Sequence, residues 1–438
     1  MIAVVGTGVS GLSAARFLRA QQLPFVLFDT RETPPAQDVI AAEFPDVHCQ
    51  FGAWDESLLQ SADEIVLSPG LPLSMSAIAA AREAGVPVIG DVELFVRYAK
   101  APIVAITGSN GKSTVTTLVG EMARAAGIKV AVGGNLGTPV LDLLSDDVEL
   151  YVLELSSFQL ETVTKLGAAV ACILNMSADH LDRYNGIPEY HRAKQRIYFG
   201  AQHVVVNRTD PLTQPPLADD VTRSSFAGSA DFKSVGVRQQ EGETWLCDDL
   251  TPVIKASELK LPGRHNIDNA LAAMAIGKAA GVPMTAMLQV LRAFTGLPHR
   301  CQWVAEVAGV AYYNDSKGTN VGATLAAING LADSGGKLVV ILGGLAKEQT
   351  FTPLLSALKA HARSCVLIGE ATEELAAMLQ GEVDFERADS MSQAVSKAQN
   401  LAHGGDSVLL SPACASFDMF ANYQARGDAF CTAVGGLQ

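Results

Sequence analysis

Two glycine-rich loops, each between a short apolar run and the start of a helical stretch, constrain the fold of this chain more than any other feature. Gly6-Thr-Gly8-Val-Ser-Gly11 follows the apolar residues 2–5, and Gly108-Ser-Asn-Gly111 follows residues 103–106. Strand, tight loop and helix in this order belong to βαβ units, which build parallel sheets covered by helices. Further apolar runs alternate with Ala-rich stretches at residues 25–28, 65–67, 150–153, 204–206, 338–342, 365–368 and 407–410. The sequence therefore predicts an α/β protein with mostly parallel sheets.

The length of 438 residues is enough for about three domains at roughly 150 residues each. One boundary is expected after an acidic helical segment that precedes the run at 103–106, and another at the Gly- and Pro-containing link 295–300. We predict an N-terminal Rossmann-like domain (1–92), a central P-loop ATPase-like domain with a mostly parallel sheet (93–297) and a C-terminal Rossmann-like domain (298–438). The polar stretch 208–260 is expected to form a small antiparallel addition to the central domain.

Composition and charge exclude several classes of function. Lys and Arg total 32 against 46 Asp and Glu, so the net charge is −14 with no basic stripe, which argues against nucleic-acid binding. A hydrophobic content of 48% argues against disorder, and the longest apolar runs are too short to span a membrane. The chain begins directly with an apolar run, and its seven cysteines form no CxxC pair. We therefore expect a cytoplasmic protein with neither a disulfide framework nor a zinc site.

The first glycine loop has the features of a pyrophosphate-binding turn. Glycines let a diphosphate approach the backbone at a helix N-terminus, and Asp29, 18 residues after Gly11, ends the next apolar run, where it would accept hydrogen bonds from a ribose or base. Ser68-Pro-Gly70, after the following apolar run, would offer further backbone amides. A tight turn without a ligand is the alternative, and the motif does not say whose pyrophosphate would bind.

The second loop continues into Lys112-Ser113-Thr114, which gives it the groups of a nucleotide-phosphate loop. Backbone amides can surround phosphates, Lys112 can reach the terminal phosphates and the Ser113 hydroxyl can bind Mg²⁺. Glu154 ends an apolar run, as a metal ligand opposite such a loop would, although a solvated carboxylate is the alternative. Lys194 is predicted to share an apolar helix face with Tyr190 and Tyr198. By residue type alone, His180 is an ordinary loop or cap histidine.

Seven motifs occur in order along the chain: Gly108-Ser-Asn-Gly-Lys-Ser-Thr114, Leu153-Glu-Leu-Ser-Ser-Phe-Gln159, Asp179-His180, Gly263-Arg-His-Asn-Ile-Asp-Asn269, Leu297-Pro-His-Arg300, Asn314-Asp-Ser-Lys-Gly-Thr-Asn320 and Ser411-Pro-Ala-Cys-Ala-Ser416. Together they resemble the Mur ligase family over essentially the whole chain. The resemblance implies a three-domain, ATP- and Mg²⁺-dependent amide-bond ligase of cell-wall precursor synthesis. Within the family, it implies addition of D-glutamate to UDP-N-acetylmuramoyl-L-alanine through an acyl phosphate, by an enzyme expected to be a monomer.

The resemblance also implies roles for individual residues. In each of the following groups, the residues match the family's contacts to one ligand. UDP contacts are Val9, Ser10, Asp29, Thr30 and Arg31, with Gly70 beside them, and contacts near the muramoyl end are Asn135, Ser156 and Gln159. ATP contacts are Gly108, Asn110, Gly111, Lys112, Ser113, Thr114, Asn266, Asn269, Arg300 and Asp315. The D-glutamate pocket comprises Lys317, Thr319, Lys347, Ser416, Phe417 and Tyr423. The metal ligands are Ser113, Glu154, His180 and Lys194, with Lys194 carbamylated by CO₂, and the catalytic group is Lys112, Glu154, His180 and Lys194.

Three other functions explain part of the sequence. An NAD-dependent dehydrogenase would use the first glycine loop but leave the second loop and Glu154 without a role. A folylpolyglutamate synthetase shares the ATP motifs but needs no N-terminal pyrophosphate domain. A non-catalytic, nucleotide-gated scaffold is the third alternative, and substrate-dependent release of phosphate distinguishes the ligase from all of them.

Overall fold

The computed structural model describes residues 1–177, 183–216, 221–260, 263–332, 335–346 and 350–437. The chain forms two compact units, Met1–Ile254 with Asn269–Val290 and Lys255–Asp268 with Leu291–Gln438. Each of the nine predicted strands lies within an observed strand, and most strand pairs are parallel, so the predicted α/β fold is confirmed. The domain boundaries at 92 and 297 stay a prediction.

The N-terminal segment of the first unit is an all-parallel sheet covered by helices. Its strands are ordered β3-β2-β1-β4-β5, so the loops after β1, β2 and β4 meet at one edge beside the point where the strand order reverses. In chain order the elements are β1 (Ile2–Val5), α1 (Val9–Ala20), β2 (Phe25–Asp29), α2 (Gln37–Glu43), β3 (Cys49–Phe51), α3 (Glu56–Gln60), β4 (Glu64–Leu67), α4 (Ser76–Glu83) and β5 (Val88–Ile89).

The next segment builds a nine-stranded sheet. In chain order its elements are α5 (Asp91–Tyr98), β6 (Ile103–Thr107), α6 (Lys112–Ala125), β7 (Val130–Gly134), β8 (Leu150–Glu154), α7 (Ser157–Leu160), β9 (Val170–Ile173), α8 (Ile187–Gln195), β10 (His203–Asn207), β11 (Thr222–Phe226), β12 (Ser234–Gln240), β13 (Glu243–Asp248) and β14 (Thr251–Lys255), followed by α9 (Arg264–Ala279) and α10 (Met284–Ala293). The strand order is β14-β13-β12-β11-β10-β9-β6-β8-β7. Strand β6, which carries the second glycine loop, therefore lies between β8 and β9.

The prediction of an antiparallel addition at 208–260 is wrong in part. Strand β11 pairs parallel with β10, and β12 pairs parallel with β11 through Ser225–Ser234 and Phe226–Val235. Antiparallel pairing begins only between β12 and β13. Because β12 starts beside the last residues of β11 and continues past it, a short loop can join two strands that run in the same direction.

Apolar packing joins the two sheets of the first unit. One cluster of buried side chains includes Leu18 of α1, Phe95 of α5 and Leu153 of β8. Phe95 meets Tyr151 edge to face, with ring centroids 5.0 Å apart. Because large aromatic side chains contribute much of the apolar area buried in a core, this shared cluster explains why residues 1–92 and the central sheet form one unit.

The second unit contains a six-stranded sheet with helices on both faces. Its elements are β15 (Gln302–Val307), β16 (Val310–Asn314), α11 (Val321–Ala332), β17 (Leu338–Gly343), α12 (Leu354–His361), β18 (Ala362–Ile368), α13 (Thr372–Leu379), β19 (Phe385–Ala388), α14 (Met391–Leu401), β20 (Ser407–Leu410) and α15 (Tyr423–Gly435). The order is β15-β16-β20-β17-β18-β19, and the β15–β16 pair is antiparallel. Val340 and Leu342 pack on one face while Val339 and Ile341 pack on the other, as the period of two of a strand requires.

The helices in the described part of the chain are all too short or too polar to cross a bilayer.

Candidate active site

The first glycine loop needs its glycines for two different reasons. Gly6 has a left-handed backbone with φ +92°, and a Cβ on Gly11 would lie 1.8 Å from the carbonyl oxygen of Gly6. A Cβ on Gly8 would meet no protein atom within 4 Å. The shape of the turn therefore depends on Gly11, whereas Gly8 leaves open space at the N-terminus of α1, where a phosphate can approach the backbone.

We expect Gly11→Ala and Gly8→Ala to separate these two roles. Gly11→Ala forces the backbone of the turn apart and is expected to destabilise the protein by about 1–3 kcal/mol, the usual range for overpacking. Gly8→Ala is expected to leave the melting temperature within about 2 °C of wild type and to weaken binding of a diphosphate ligand instead. Thermal unfolding and UDP calorimetry on both variants check this, and equal loss of stability in the two would contradict it.

Asp29 is buried at the end of β2, where protein groups already engage its carboxylate. It accepts hydrogen bonds from the Thr7 backbone and hydroxyl at 2.9 and 2.6 Å, and from Arg31 Nε and Nη2 at 2.8 Å each. Burial opposes ionisation, but the hydrogen bonds from Arg31 and Thr7 outweigh it and hold the pKa of Asp29 well below its usual range. The carboxylate thus stays charged and orients Arg31 and the exposed Thr30 beside the glycine loop. Direct contact of Asp29 with a nucleotide stays a prediction.

The other predicted contacts at this edge of the first sheet differ in exposure. Val9 and Gly70 are exposed, while Ser10 is partly buried. The Ser10 side chain lies near the carboxyl group of Asp91, which is buried at the start of α5, and favours the ionised form of that group. Asp91 also accepts a hydrogen bond from Gln159 Nε2 at 3.3 Å, and burial raises its pKa. Asp91, which the sequence analysis did not single out, therefore lies between Ser10 of the first loop and Gln159 of α7.

Gln159 and Ser156 form the N-terminal cap of α7. Ser156 Oγ accepts a hydrogen bond from the Gln159 backbone, and Gln159 Oε1 accepts one from the Ser156 backbone, each at 3.1 Å. This reciprocal capping box fixes both side chains. Two of the three predicted muramoyl contacts, Ser156 and Gln159, are therefore held by the cap of α7.

The second glycine loop encloses a lysine. Gly111 adopts φ +80° immediately before α6, and a Cβ there would lie 2.3 Å from Asn269 Oδ1. Lys112 Nζ donates to the carbonyl oxygens of Gly108 and Ser109 at 2.9 and 3.0 Å. Asn110 exchanges two hydrogen bonds with Asn175, two residues after the end of β9. Thr114 is partly buried in the first turn of α6, and Asn266 lies one helical turn before Asn269 on α9.

Glu154 lies at the same sheet edge as this loop, because β6 and β8 are parallel neighbours with Ile106 paired to Glu154. Its side chain is 2% exposed, and Oε1 accepts a hydrogen bond from Asn135 Nδ2 at 2.6 Å. Oε2 is buried and has no hydrogen-bond partner among the described residues. A buried carboxylate oxygen without a donor is costly unless a cation compensates it. Glu154 and the nearly buried Ser113 hydroxyl in the first turn of α6 therefore fit a hard divalent cation such as Mg²⁺.

Among the residues that the structure describes, no group of three or more His, Cys, Asp or Glu side chains could hold a metal by itself. Mg²⁺ usually takes only one or two protein carboxylates and completes its shell with phosphate oxygens and water. A site formed by Glu154, Ser113 and a nucleotide phosphate is consistent with this coordination preference. The predicted metal ligand His180 lies outside the described residues.

Lys194 is buried on α8, with 1% of its surface exposed. Its Nζ lies 3.1 Å from Thr107 Oγ1 and 4.8 Å from the centre of the Tyr190 ring. Tyr190 and Tyr198 are also buried, so the predicted apolar face is confirmed. The predicted continuous helix 190–198 is wrong, because α8 ends at Gln195 and Tyr198 lies in the 3₁₀ turn Arg196–Tyr198. Thr107 is the last residue of β6, directly before the phosphate loop, so this contact places Lys194 beside that loop.

The second unit has its own cluster of predicted site residues. Asp315 follows β16 and is nearly buried. It accepts hydrogen bonds from Ser411 Oγ at 2.7 Å and from the Cys301 backbone at 3.1 Å. Burial, only partly offset by these hydrogen bonds, raises the pKa of Asp315 to about 6. Arg300 is exposed, and its charge favours ionisation of Asp315.

The raised pKa of Asp315 predicts a pH-dependent stability. The folded protein holds this proton up to about pH 6, whereas the unfolded chain releases it near pH 3.8, so stability falls as pH rises through that window. Asp315→Asn does not titrate and is therefore expected to gain stability over wild type by about 3 kcal/mol between pH 4 and pH 7. Urea unfolding of both proteins across this range measures the difference, and a constant difference would contradict the assignment.

A buried arginine organises the residues predicted for an amino-acid pocket. Arg426, 1% exposed, donates to Ser316 Oγ and to the carbonyl oxygens of Ser316, Cys414 and Ala415. Burial lowers the pKa of Arg426 to about 10, so it stays charged at neutral pH. These bonds fix the segment that ends in the buried Ser416, next to the exposed Phe417.

Lys317 lies over the Tyr423 ring in the same unit, with Nζ 5.0 Å from the ring centre. Its Nζ is also 3.4 Å from the Tyr423 hydroxyl, and the Thr319 backbone donates to the Lys317 carbonyl at 2.8 Å. Lys347 lies outside the described residues. The second unit thus brings together the predicted residues Asp315, Lys317, Thr319 and Tyr423, with Ser416 nearby in the chain segment held by Arg426.

Three sequence models match consecutive parts of the chain. They are the Mur ligase MurD-like N-terminal domain at residues 1–90, the Mur ligase middle domain at 106–277 and the Mur ligase glutamate ligase domain at 299–414. The chain is 54% identical over 433 residues to the UDP-N-acetylmuramoylalanine–D-glutamate ligase of Pseudomonas aeruginosa, covering 98% of this chain and 97% of that protein. The protein of the same name from Nitrosococcus oceani is 50% identical over 436 residues, covering 98% and 95%.

Solved structures agree at the level of the fold. UDP-N-acetylmuramate–alanine ligase from Thermotoga maritima matches with a TM-score of 0.59 at 17% identity, covering 100% of this chain and 99% of that one. A pseudomurein peptide ligase type C from Methanothermus fervidus matches with a TM-score of 0.57 at 19% identity, with the same coverage. Because the domain models and the relatives at 50–54% identity together span nearly the whole sequence, this chain belongs to the Mur ligase family.

Proposed function

We propose that this chain is the ATP-dependent, ADP-forming ligase that joins D-glutamate to UDP-N-acetylmuramoyl-L-alanine in peptidoglycan precursor synthesis. The observation that carries the proposal is identity of 53–54% over 98% of the chain to relatives that bear the name of this activity. The phosphate loop with Lys112, beside the buried Glu154, supplies the chemical basis for using ATP.

The UDP moiety is proposed to bind at the carboxyl edge of the first sheet. There the backbone at Gly8 is open, Val9, Thr30 and Gly70 are exposed, and Arg31 is oriented by Asp29. Ser10 stands on the same loop. Asn135, Ser156 and Gln159 continue this site toward Glu154 and are proposed to hold the muramoyl end. The anionic diphosphate would thus meet backbone amides and Arg31 in a chain whose overall charge is −14.

ATP is proposed to bind along Gly108 to Thr114, with Asn266 and Asn269 toward the base and Arg300 and Asp315 as further contacts. Ser113 and Glu154 would hold Mg²⁺, together with His180 and a carbamylated Lys194. The cation would neutralise negative charge on the phosphates. Lys112 would contribute a second positive charge at the same place, because its Nζ already lies on the loop carbonyls.

The reaction follows from the chemistry of a carboxylate, whose oxygen is a poor leaving group. The terminal carboxylate of the UDP-linked substrate attacks the γ-phosphorus of ATP, the bond to ADP breaks, and an acyl phosphate forms. The amine of D-glutamate then attacks the acyl carbon, phosphate leaves, and the amine releases a proton. Both reactants of the first step are anionic, so catalysis comes mainly from positive charge and positioning, which the phosphate loop and the capped Ser156–Gln159 turn provide.

D-Glutamate is proposed to bind in the second unit. A free dicarboxylate needs charge-assisted donors, and Lys317 and Lys347 would supply them with the hydroxyls of Thr319 and Ser416. Phe417 and Tyr423 would flank the ligand. The Arg426 guanidinium, which fixes the carbonyls of Cys414 and Ala415, would keep Ser416 in place. We further propose that the enzyme works in the cytoplasm as a monomer.

Substrate dependence tests the proposal directly. ADP and phosphate release should require UDP-N-acetylmuramoyl-L-alanine, D-glutamate and ATP together, and the product should carry the mass of one added glutamate. L-Glutamate in place of D-glutamate is the matched control and should give little or no product. Phosphate release that is independent of either carboxylate substrate, or NADH-dependent activity in its place, would overturn the assignment.

A further inference from the structure

We propose that Arg183 is a positioning residue that holds the loop Ser68–Leu71 in the shape that receives the uridine diphosphate moiety. The inference rests on the proposed function, because that function places UDP at this edge of the first sheet. No motif marks Arg183 in the sequence. Its importance follows from contacts to residues more than 100 positions away in the chain.

The loop itself lies between the first glycine loop and Arg183. Its turn is closed by a hydrogen bond from the Leu71 backbone to the Ser68 carbonyl at 3.0 Å. On one side, a Cβ on Gly6 would lie 2.7 Å from Ser68 Cβ and 3.1 Å from a methyl group of Leu71, so the loop packs directly against the glycine turn. Movement of the loop would therefore also disturb the turn on which a diphosphate would bind.

On the other side, Arg183 reaches two carbonyl groups of the loop. Nη1 donates to Pro69 O at 3.2 Å and Nη2 donates to Leu71 O at 3.1 Å. The guanidinium is itself held, because Nη2 also bonds Glu161 Oε2 at 3.2 Å and the group lies 4.4 Å from the centre of the Phe158 ring. The Arg183 side chain is 16% exposed, so these bonds are poorly screened by water.

The direction of these hydrogen bonds orients the backbone toward the proposed ligand. In a trans peptide the N–H points opposite to the C=O of the same unit. Because the Pro69 carbonyl is turned to Arg183, the N–H of Gly70 points away from it. Gly70 is exposed, and a Cβ there would meet no protein atom within 4 Å. Arg183 thus presents one backbone donor of the loop on the open side, without touching the ligand.

The variant Arg183→Lys tests the role with little change in charge or volume. A lysine can pair with Glu161 but lacks the planar fork that bridges two carbonyls and stacks on Phe158. We expect the KM for UDP-N-acetylmuramoyl-L-alanine and the Kd for UDP, measured by calorimetry, to rise on the order of 10-fold. The KM for ATP and kcat should stay within about 2-fold of wild type. Glu161→Gln, which keeps an acceptor without its charge, should shift the same two constants in the same direction by less.

Arg192→Lys is the matched control, since Arg192 is an exposed arginine on α8 whose Nε donates to the Pro188 carbonyl of its own helix at 3.4 Å. It should leave all constants unchanged. The positioning role would be overturned if Arg183→Lys had the same Kd for UDP as the control. It would also be overturned if that variant raised the KM for ATP as much as the KM for the UDP substrate, or if the wild-type protein bound no UDP. Absence of wild-type turnover despite UDP binding would instead overturn the proposed function alone.

Discussion

Replacement of Lys112 by alanine is expected to lower turnover by a factor of 10² or more while leaving the protein folded. The ammonium group lies on the phosphate loop, 2.9 and 3.0 Å from the carbonyl oxygens of Gly108 and Ser109. Charge on the transferred phosphoryl group and its oxygens is offset by cations held there in advance. Loss of one such cation corresponds to about 3 kcal/mol of transition-state stabilisation.

ADP formation under saturating substrates measures this effect, and thermal unfolding establishes that the variant is folded. Lys100→Ala is the matched control, because Lys100 is an exposed lysine paired with the exposed Asp146, and such surface pairs contribute little to stability. The control should retain wild-type turnover. A folded Lys112→Ala protein with more than a tenth of wild-type activity would show that the loop does not hold the reacting ATP.

Lys194→Ala is expected to lose most activity, because the resemblance to the family implies that Lys194 carries a carbamate. Burial disfavours a charged ammonium group, and the neutral amine is the form that attacks CO₂. A bond forms between Nζ and the carbon, a proton leaves to solvent, and the position changes from a potential cation to an anion. An anion at Lys194, whose Nζ bonds Thr107 at the foot of the phosphate loop, would favour Mg²⁺ nearby.

Two measurements separate a carbamate from a structural lysine. The ¹³C NMR spectrum of the wild-type enzyme in labelled bicarbonate should show a carbamate resonance that Lys194→Ala lacks. Acetate or formate should restore part of the activity of Lys194→Ala by occupying the vacated space. Lys278→Ala, which removes an exposed lysine of α9, should neither lose activity nor respond to acetate. An unchanged spectrum under CO₂-replete conditions with Mg²⁺ would leave Lys194 with a packing role.

The sequence by itself determined where the strands lie and which two loops are proposed to bind phosphates. Short apolar runs such as 2–5 and 103–106 are local signals, because a strand buried on both faces needs apolar residues at every position. The glycines of the two loops are local signals as well. Gly6 and Gly111 have left-handed backbone, and a Cβ on Gly11 would collide with the Gly6 carbonyl, so other residue types are disfavoured at these positions. The proposed binding residues of both loops followed from these motifs and from the family resemblance.

The tertiary structure alone decided which distant side chains support those loops. The hydrogen-bonded partners are far apart in the chain: 87 residues separate Lys194 from Thr107, 68 separate Asp91 from Gln159, and 114 separate Arg183 from Pro69. The antiparallel pairing predicted for the region of β11 and β12 was wrong for the same reason. A hydrophobic pattern indicates that a segment is a strand, but it does not indicate which strand lies beside it. The side-chain pairs form only when strand order and register place the ends of β4, β6 and β8 beside their partners. Strand order minimises the free energy of the whole core, so no short segment of the chain encodes it.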